Sequence, residues 1–243
     1  MKFLVYVFFF QCLAICALSS PSKNQASKAQ KMVKRYAMLP DSITQLLVVF
    51  NETPAQNSAI LVALEKKDKN WTEIYGPIPV GIGRNGFASP GAKREGDQKS
   101  PTGLFRLGQL FCYDKEVNTK MPFTQTTNED KWIDDPNSPD YNHHIRGTTL
   151  AKSFENLKLS DNEYKYCMNI EYNMHPTVKG MGSAIFLHLS EGVSPNPSSG
   201  CVVLVEKDME WLLNWMNPKL KPSILMGNRK ILISGPGKHQ HRK

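Results

Sequence analysis

A histidine and a cysteine that follows it by thirteen positions are the residues in this chain best suited to chemistry. His188 lies near the end of the apolar run 184–189, and Cys201 follows a Pro-rich loop and the small residues 198–200. A free thiol with a pKa of ~8.5 is mostly protonated at neutral pH, whereas its thiolate is the nucleophile. An imidazole within hydrogen-bond reach can take that proton. The pattern therefore predicts a cysteine nucleophile with a histidine base.

The glycine beside the thiol supports the same chemistry. Gly200 has no side chain, so the backbone can approach a substrate closely at this point. The N–H groups around Gly200 and Cys201 are then candidates for an oxyanion site. The competing interpretation is structural, because a histidine at the end of a strand is commonly a satisfied core residue and a Gly-Cys pair often only packs.

Length and composition favour one substantial domain with short extensions. The chain has 243 residues, 40% of them hydrophobic, which is enough for one real core. Lys2, the apolar run 3–18 and the small residues that follow are typical of an export signal. The expected organisation is a signal peptide at 1–19, a basic linker at 20–40, a globular domain at 41–235 and a basic tail at 236–243.

The N-terminal segment has two further interpretations. The apolar run is long enough to persist as an uncleaved anchor, and residues 13–16 resemble a lipidation site at Cys16. No other segment is apolar over the roughly 18 residues that a spanning helix needs. We therefore expect an exported protein with no stable membrane domain after signal cleavage.

The cysteine count depends on export. Loss of the signal leaves Cys112, Cys167 and Cys201, an odd number in a compartment where cysteines normally pair. The simplest pairing joins Cys112 to Cys167 and leaves Cys201 free. The alternative is that Cys112 and Cys167 are both buried thiols.

The net charge of +8 favours anionic partners such as nucleic acid, acidic lipid or an acidic wall polymer. Much of the positive charge lies near the two ends, where a solvated, mobile tail is the usual explanation. Export and the lack of a nucleic-acid motif argue against nucleic acid.

His143 and His144 stand near three aspartates, a grouping that could suggest a metal site. Adjacent residues of an extended segment point in opposite directions, however. Neither a metal nor another cofactor is therefore expected.

The periodicity between the ends is mostly that of strands, so the fold class is mainly β. One clear helix is predicted at 206–217, with apolar residues at helical spacing and Pro218 at its end. Residues 114–165 are polar and predict a long decorated loop with short helical pieces. The predicted strands are 45–51, 59–66, 71–82, 104–113, 166–172, 183–189, 202–205, 224–226 and 230–234.

Four separated stretches give a family resemblance. They are the loop Lys93-Arg-Glu-Gly-Asp-Gln-Lys-Ser-Pro-Thr-Gly103, the segments 132–142 and 170–174, the run Gly180-Met-Gly-Ser-Ala-Ile-Phe-Leu-His188, and Ser199-Gly-Cys-Val202. In this order they resemble the L,D-transpeptidase catalytic domain (YkuD-like), in a branch with a KREGD loop. The resemblance covers roughly residues 45–230 and implies a β-sandwich.

The resemblance also implies a role for each matching position. Cys201 matches the nucleophile, His188 the general base, Gly200 and the Cys201 amide the oxyanion site, and the Leu189 carbonyl the group that orients the imidazole. The wider family often has Ser-His-Gly-Cys, whereas this chain has Ser199 where that histidine stands. The implied partner is the peptidoglycan stem peptide, in the periplasm or cell wall.

The implied reaction is acyl transfer through a Cys201 thioester with release of D-Ala. Water as acceptor would make the protein an L,D-carboxypeptidase. Arg94 and Arg84, with Ser199, are candidates to bind the substrate carboxylate. Two interpretations from other classes remain: a catalytically silent wall-binding module, and an exported thiol-redox protein, which lacks a CxxC motif.

Overall fold

The computed structural model describes residues 21–36 and 39–234. The predicted signal peptide and the predicted basic tail lie outside the described residues. None of the described helices is both long and apolar enough to cross a membrane.

The strands are β1 Gln45–Asn51, β2 Ser58–Lys67, β3 Asn70–Gly81, β4 Gly103–Cys112, β5 Phe123–Gln125, β6 Asp130–Ile133, β7 His144–Arg146, β8 Phe154–Asn156, β9 Tyr166–Ile170, β10 Phe186–Leu189, β11 Val202–Leu204 and β12 Ser223–Asn228. The helices are α1 Pro21–Arg35, α2 Glu206–Trp215, α3 Arg229–Ser234 and a 3-10 turn at Pro218–Leu220.

Nine strands form one large sheet, which confirms the mainly β prediction. The strand order is β12-β1-β2-β3-β11-β10-β9-β4-β5, and β12 also pairs with β4. The sheet therefore closes on itself into a barrel-like sandwich, as expected from the family resemblance. Its inside is filled by apolar side chains from both walls and by the buried face of α2. Met209, Leu212 and Leu213 form that face, which confirms the predicted helix.

The segment predicted as a basic linker is a packed helix. α1 has Ala29, Met32 and Val33 buried in a cluster that includes apolar residues of β2, β3 and α3. The lysines occupy the other positions, and Lys28 pairs with Glu52 at 2.7 Å. In the sequence, the lysines of this segment mask an apolar stripe at helical spacing, which is why a linker was expected.

Residues 230–234 form a helix rather than the predicted strand. The Asn228 side chain accepts a hydrogen bond from the Lys230 N–H at 3.1 Å, which is how a cap starts a helix. Leu232 is then buried in the same cluster as α1. The run Ile-Leu-Ile is apolar enough for either element, so sequence periodicity could not separate them.

Residues 114–165 contain four short strands and no helix, so the predicted helical pieces were wrong. β6 lies between β7 and β8 in a separate three-stranded sheet, the small sheet from here on. It packs on one face of the large sheet, where Trp132 meets Phe111 and Phe186 edge-on.

Cys112 and Cys167 are both free, buried thiols, which contradicts the predicted bridge and agrees with its alternative. Cys112 is paired across the strands with Tyr166, and Phe111 with Cys167. The two thiols therefore project from opposite faces of the sheet, because alternate residues point to opposite sides. One lies in the barrel core and the other under the small sheet.

Candidate active site

The large sheet brings the predicted nucleophile and base together. β10 and β11 are parallel neighbours with Leu187 opposite Val202, so Cys201 lies beside Phe186, two positions before His188. Cys201 and His188 therefore face the same side. Both border one cavity of about 370 Å³.

The Cys201 thiol is held by backbone groups. Its Sγ accepts a hydrogen bond from the Phe186 N–H at 3.4 Å and donates one to the Ala184 carbonyl at 3.3 Å. The thiol is therefore fixed in position, at the border of the cavity that His188 also lines.

The imidazole is oriented by a backbone carbonyl. His188 Nδ1 lies 2.9 Å from the Leu189 carbonyl oxygen. A carbonyl only accepts, so Nδ1 bears the proton and Nε2 is left as the basic nitrogen. The Tyr164 ring packs edge-on against the imidazole at 5.2 Å. The bond between His188 Nδ1 and the Leu189 carbonyl is the contact that the resemblance implied.

Burial keeps both groups neutral in the free protein. His188 and Cys201 are each only 6% exposed. Burial lowers the pKa of His188 to about 4 and raises the pKa of the Cys201 thiol above its ordinary value. A resting thiolate–imidazolium pair is thus disfavoured, because burial penalises the charged form of each group.

Two serines support the turn before Cys201. Ser100 Oγ accepts from the Gly83 N–H at 2.9 Å and donates to the Gly200 carbonyl at 2.7 Å. Ser198 Oγ accepts from the Gly200 N–H at 3.1 Å and donates to the Cys201 carbonyl at 2.8 Å. The Gly200 N–H is therefore already hydrogen-bonded. Of the two predicted oxyanion donors, the Cys201 N–H is the one that these contacts do not use.

Position 200 has little room for a side chain. A Cβ there would lie 3.0 Å from the Lys99 carbonyl oxygen and 3.1 Å from Ile185 Cδ1. Its φ of +156° also strains residues other than glycine. Both the tight contacts and the φ value therefore favour glycine at this turn.

The KREGD loop is closed by an ion pair whose lysine is buried. Lys93 Nζ, on a residue only 4% exposed, donates to Asp97 Oδ1 at 2.7 Å and to the Arg94 carbonyl at 2.9 Å. Burial would raise the pKa of Asp97, but its bonds to Lys93 and to the N–H groups of Arg94 and Lys99 hold it below its usual value. The closed loop presents Lys93 at the cavity.

The three predicted substrate-binding residues separate into two groups. Arg84 Nη1 donates to Ser199 Oγ at 3.2 Å, and both residues line the cavity. The Arg94 guanidinium instead donates to the carbonyls of Gly91 and Lys93. The structure places Arg94 among the contacts that shape the loop, away from the cavity lining.

Several cavity residues had little or no sequence signal. Glu95 and Asp134 lay within the family-like stretches, but Glu155, Glu163 and Tyr164 lay in the segment 114–165 or at its end and had none. Glu95 Oε2 accepts from Tyr141 Oη and from Ser183 Oγ, the latter at 2.7 Å. The carboxyl-bearing side chains that line the cavity are Glu95, Asp134, Glu155 and Glu163.

His143 and His144 have structural partners. His144 Nε2 lies 2.8 Å from Asp130 Oδ1, and His143 Nδ1 lies 2.9 Å from the Tyr141 carbonyl. Arg146 also donates to the buried Asp130 at 2.9 Å. Within the described ranges, no group of three or more metal-ligating side chains is arranged to hold an ion. The two histidines therefore help to hold the small sheet together.

Comparison with known families decides the family of the chain. The sequence model of YkuD, the L,D-transpeptidase catalytic domain, matches residues 52–228. The chain belongs to this family. No curated protein matches it. A solved structure of Bd1075 from Bdellovibrio bacteriovorus is similar, at 15% identity and a TM-score of 0.42, over 79% of this chain and 50% of that one. The chain thus spans about half the length of that protein.

Proposed function

We propose that this YkuD-family protein is a cysteine acyltransferase that acts on peptidoglycan stem peptides. Its family makes L,D-transpeptidase-type activity on peptidoglycan the expected chemistry. The observation that most supports this role is the shared cavity, in which the Cys201 thiol and an imidazole oriented by the Leu189 carbonyl both lie. The silent wall-binding module needs neither feature.

The proposed first half-reaction forms a thioester. Cys201 Sγ attacks the carbonyl carbon that precedes the terminal D-Ala, and its proton passes to His188 Nε2. The Cys201 N–H stabilises the oxyanion. The C–N bond then breaks, the D-Ala nitrogen takes the proton from His188, and D-Ala leaves. In this proposal Arg84 and Ser199 hold the D-Ala carboxylate, which is supported by their place in the cavity lining and by the match of a guanidinium to that group.

The second half-reaction returns the thiol. An amine of another stem peptide attacks the thioester carbonyl and loses its proton to His188. The C–S bond breaks, and the sulfur regains a proton. Water in place of the amine makes the reaction an L,D-carboxypeptidase. We also propose that the protein is exported and works in the periplasm or cell wall.

Product analysis tests the function. Purified tetrapeptide muropeptides are incubated with wild-type protein or with Cys201→Ala, and the products are separated and weighed. Wild type is expected to release D-Ala and give cross-linked dimers, whereas trimmed tripeptides alone would mean hydrolysis. Cys201→Ala should give neither, with an unchanged melting temperature. D-Ala release by a folded Cys201→Ala protein would refute the thioester.

A further inference from the structure

We infer that the Lys93 ammonium group is a second donor to the oxyanion, beside the Cys201 N–H. This inference rests on the proposed function and adds a catalytic residue to its first half-reaction. It gives the KREGD loop a part in the chemistry.

The turn before Cys201 supplies fewer oxyanion donors than expected. A developing oxyanion is commonly held by more than one donor aimed at it. The Gly200 N–H already donates to Ser198 Oγ at 3.1 Å, so the Cys201 N–H is the predicted backbone donor that remains. A side chain is therefore expected to provide the second hydrogen bond.

Two glycines make room for Lys93 beside this turn. A Cβ at Gly182 would lie 3.1 Å from both Cε and Cγ of Lys93, and a Cβ at Gly200 would lie 3.8 Å from Lys93 Cε. The alkyl chain of Lys93 therefore runs close to both backbones. Its Nζ is one bond beyond Cε, and Lys93 lines the same cavity as Cys201.

The Lys93 ammonium group has one N–H to spare. It carries three N–H donors, of which two go to Asp97 Oδ1 at 2.7 Å and to the Arg94 carbonyl at 2.9 Å. Among the described residues, no third acceptor lies within hydrogen-bond distance. The two bonds fix the nitrogen, and the remaining donor is left for a ligand.

The charge of Lys93 acts at the nucleophile. Lys93 is only 4% exposed, so water screens its charge weakly. Burial raises the pKa of the Cys201 thiol, and Lys93 acts in the opposite direction. The lysine thus favours negative charge at the place where the attack creates it.

The other permanent cation of the cavity lining has a different partner. Arg84 donates to Ser199 Oγ at 3.2 Å, and the proposed function assigns both residues to the D-Ala carboxylate. Among the described residues that line the cavity, Lys93 is the lysine or arginine that remains for the reacting carbonyl.

In the proposed step Lys93 keeps its proton. As the Sγ–C bond forms, the carbonyl π electrons move to oxygen, and the Lys93 N–H donates a hydrogen bond to that oxygen. When the C–N bond breaks, the electron pair returns to form the thioester carbonyl. Because the hydrogen bond strengthens only as charge develops, it lowers the barrier without tightening substrate binding.

The test removes the ammonium group without leaving Asp97 unpaired. Lys93→Met combined with Asp97→Asn is compared with Asp97→Asn alone, because both proteins lack the ion pair and only the first lacks the ammonium group. The kcat for D-Ala release should be roughly 100-fold lower in the double variant, the usual effect of one lost oxyanion donor. Lys120→Met is the control, since Lys120 is exposed and outside this cavity.

Two further measurements separate catalysis from loop structure. Calorimetry on Cys201→Ala proteins should show the same affinity for a tetrapeptide muropeptide with Asp97→Asn alone and with Lys93→Met added. Lys93→Gln, with Asp97 retained, keeps an N–H donor for that carboxylate but removes the charge. It should lose kcat as the double variant does, and it decides the question if the double variant does not fold.

Two results overturn the inference. One is an equal kcat in Asp97→Asn and in the double variant; the other is a loss of affinity as large as the loss of kcat, which would mean that Lys93 holds the substrate. In both cases wild type still releases D-Ala and the proposed function stands. Failure of wild type to release D-Ala would instead refute the proposed function.

Discussion

The strand pair β10–β11 and the small sheet β6–β8 border the same cavity but supply different kinds of group. β10 and the turn before β11 supply His188 and Cys201, both fixed by short backbone contacts and both neutral when buried. The small sheet supplies Glu155 from β8. The residue after β6 is Asp134, whose Oδ1 accepts no hydrogen bond from the described residues. The large sheet thus supplies the groups of the proposed reaction, and the small sheet supplies part of the cavity wall.

The largest expected effect concerns the base on β10. His188→Ala should reduce kcat/KM on the order of 10³-fold or more, because the thiol loses the group that accepts its proton. His175→Ala is the matched control: His175 lies outside this cavity and should leave the rate unchanged. Steady-state D-Ala release measures both. Near-normal activity in His188→Ala would contradict the proposal that the large sheet supplies the base.

A smaller effect is expected from the support beneath the nucleophile. Ser100→Ala leaves the Gly83 N–H and the Gly200 carbonyl without their buried partner, at a cost of about 1–3 kcal/mol. The melting temperature should fall, and so should kcat, because the turn that holds Cys201 loosens. Ser89→Ala, at an exposed position, is the control. Unchanged stability and kcat in Ser100→Ala would show that the turn does not depend on this hydroxyl.

The smallest effect on the chemistry is expected in the small sheet. Burial would raise the pKa of Asp130, but Arg146, Thr127 and His144 hold it well below its usual value. Asp130→Asn should therefore lower stability by about 1–3 kcal/mol and raise KM more than it lowers kcat.

The pH dependence of that variant has a defined sign. A depressed carboxyl pKa contributes stability above the unfolded-state value of ~3.9, and the contribution is lost as pH falls toward the folded-state pKa. The melting-temperature difference between wild type and Asp130→Asn should be full at neutral pH and shrink below about pH 4. A difference that grows as pH falls would contradict this assignment.

The same contrast explains what the sequence could predict. β1 and the helix α2 have long, regular apolar patterns, and both were predicted at or near their observed bounds. His188 and Cys201 could be predicted as site residues because each reactive side chain lies next to an apolar run. The small sheet was missed because its strands have only three or four residues, too few for a period to show, so Glu155 had no signal.

Two other differences between the predictions and the structure have physical causes of the same kind. The Cys112–Cys167 pairing failed because strand register, which a count of cysteines cannot give, places the thiols on opposite faces. The assignment of Arg94 to the substrate rested on charge alone. Its guanidinium instead donates hydrogen bonds to carbonyls of its own loop. Which arginine lines the cavity depends on the folded structure and cannot be predicted from charge.

The most direct test of the central claim is intact-mass analysis of wild-type protein mixed rapidly with tetrapeptide muropeptide. The expected result is a mass gain equal to the donor minus D-Ala, located on the peptide that contains Cys201 and lost on addition of hydroxylamine. Cys201→Ala should show no gain. D-Ala release without any adduct on Cys201, or an adduct at another residue, would contradict the proposal that this thiol is the nucleophile.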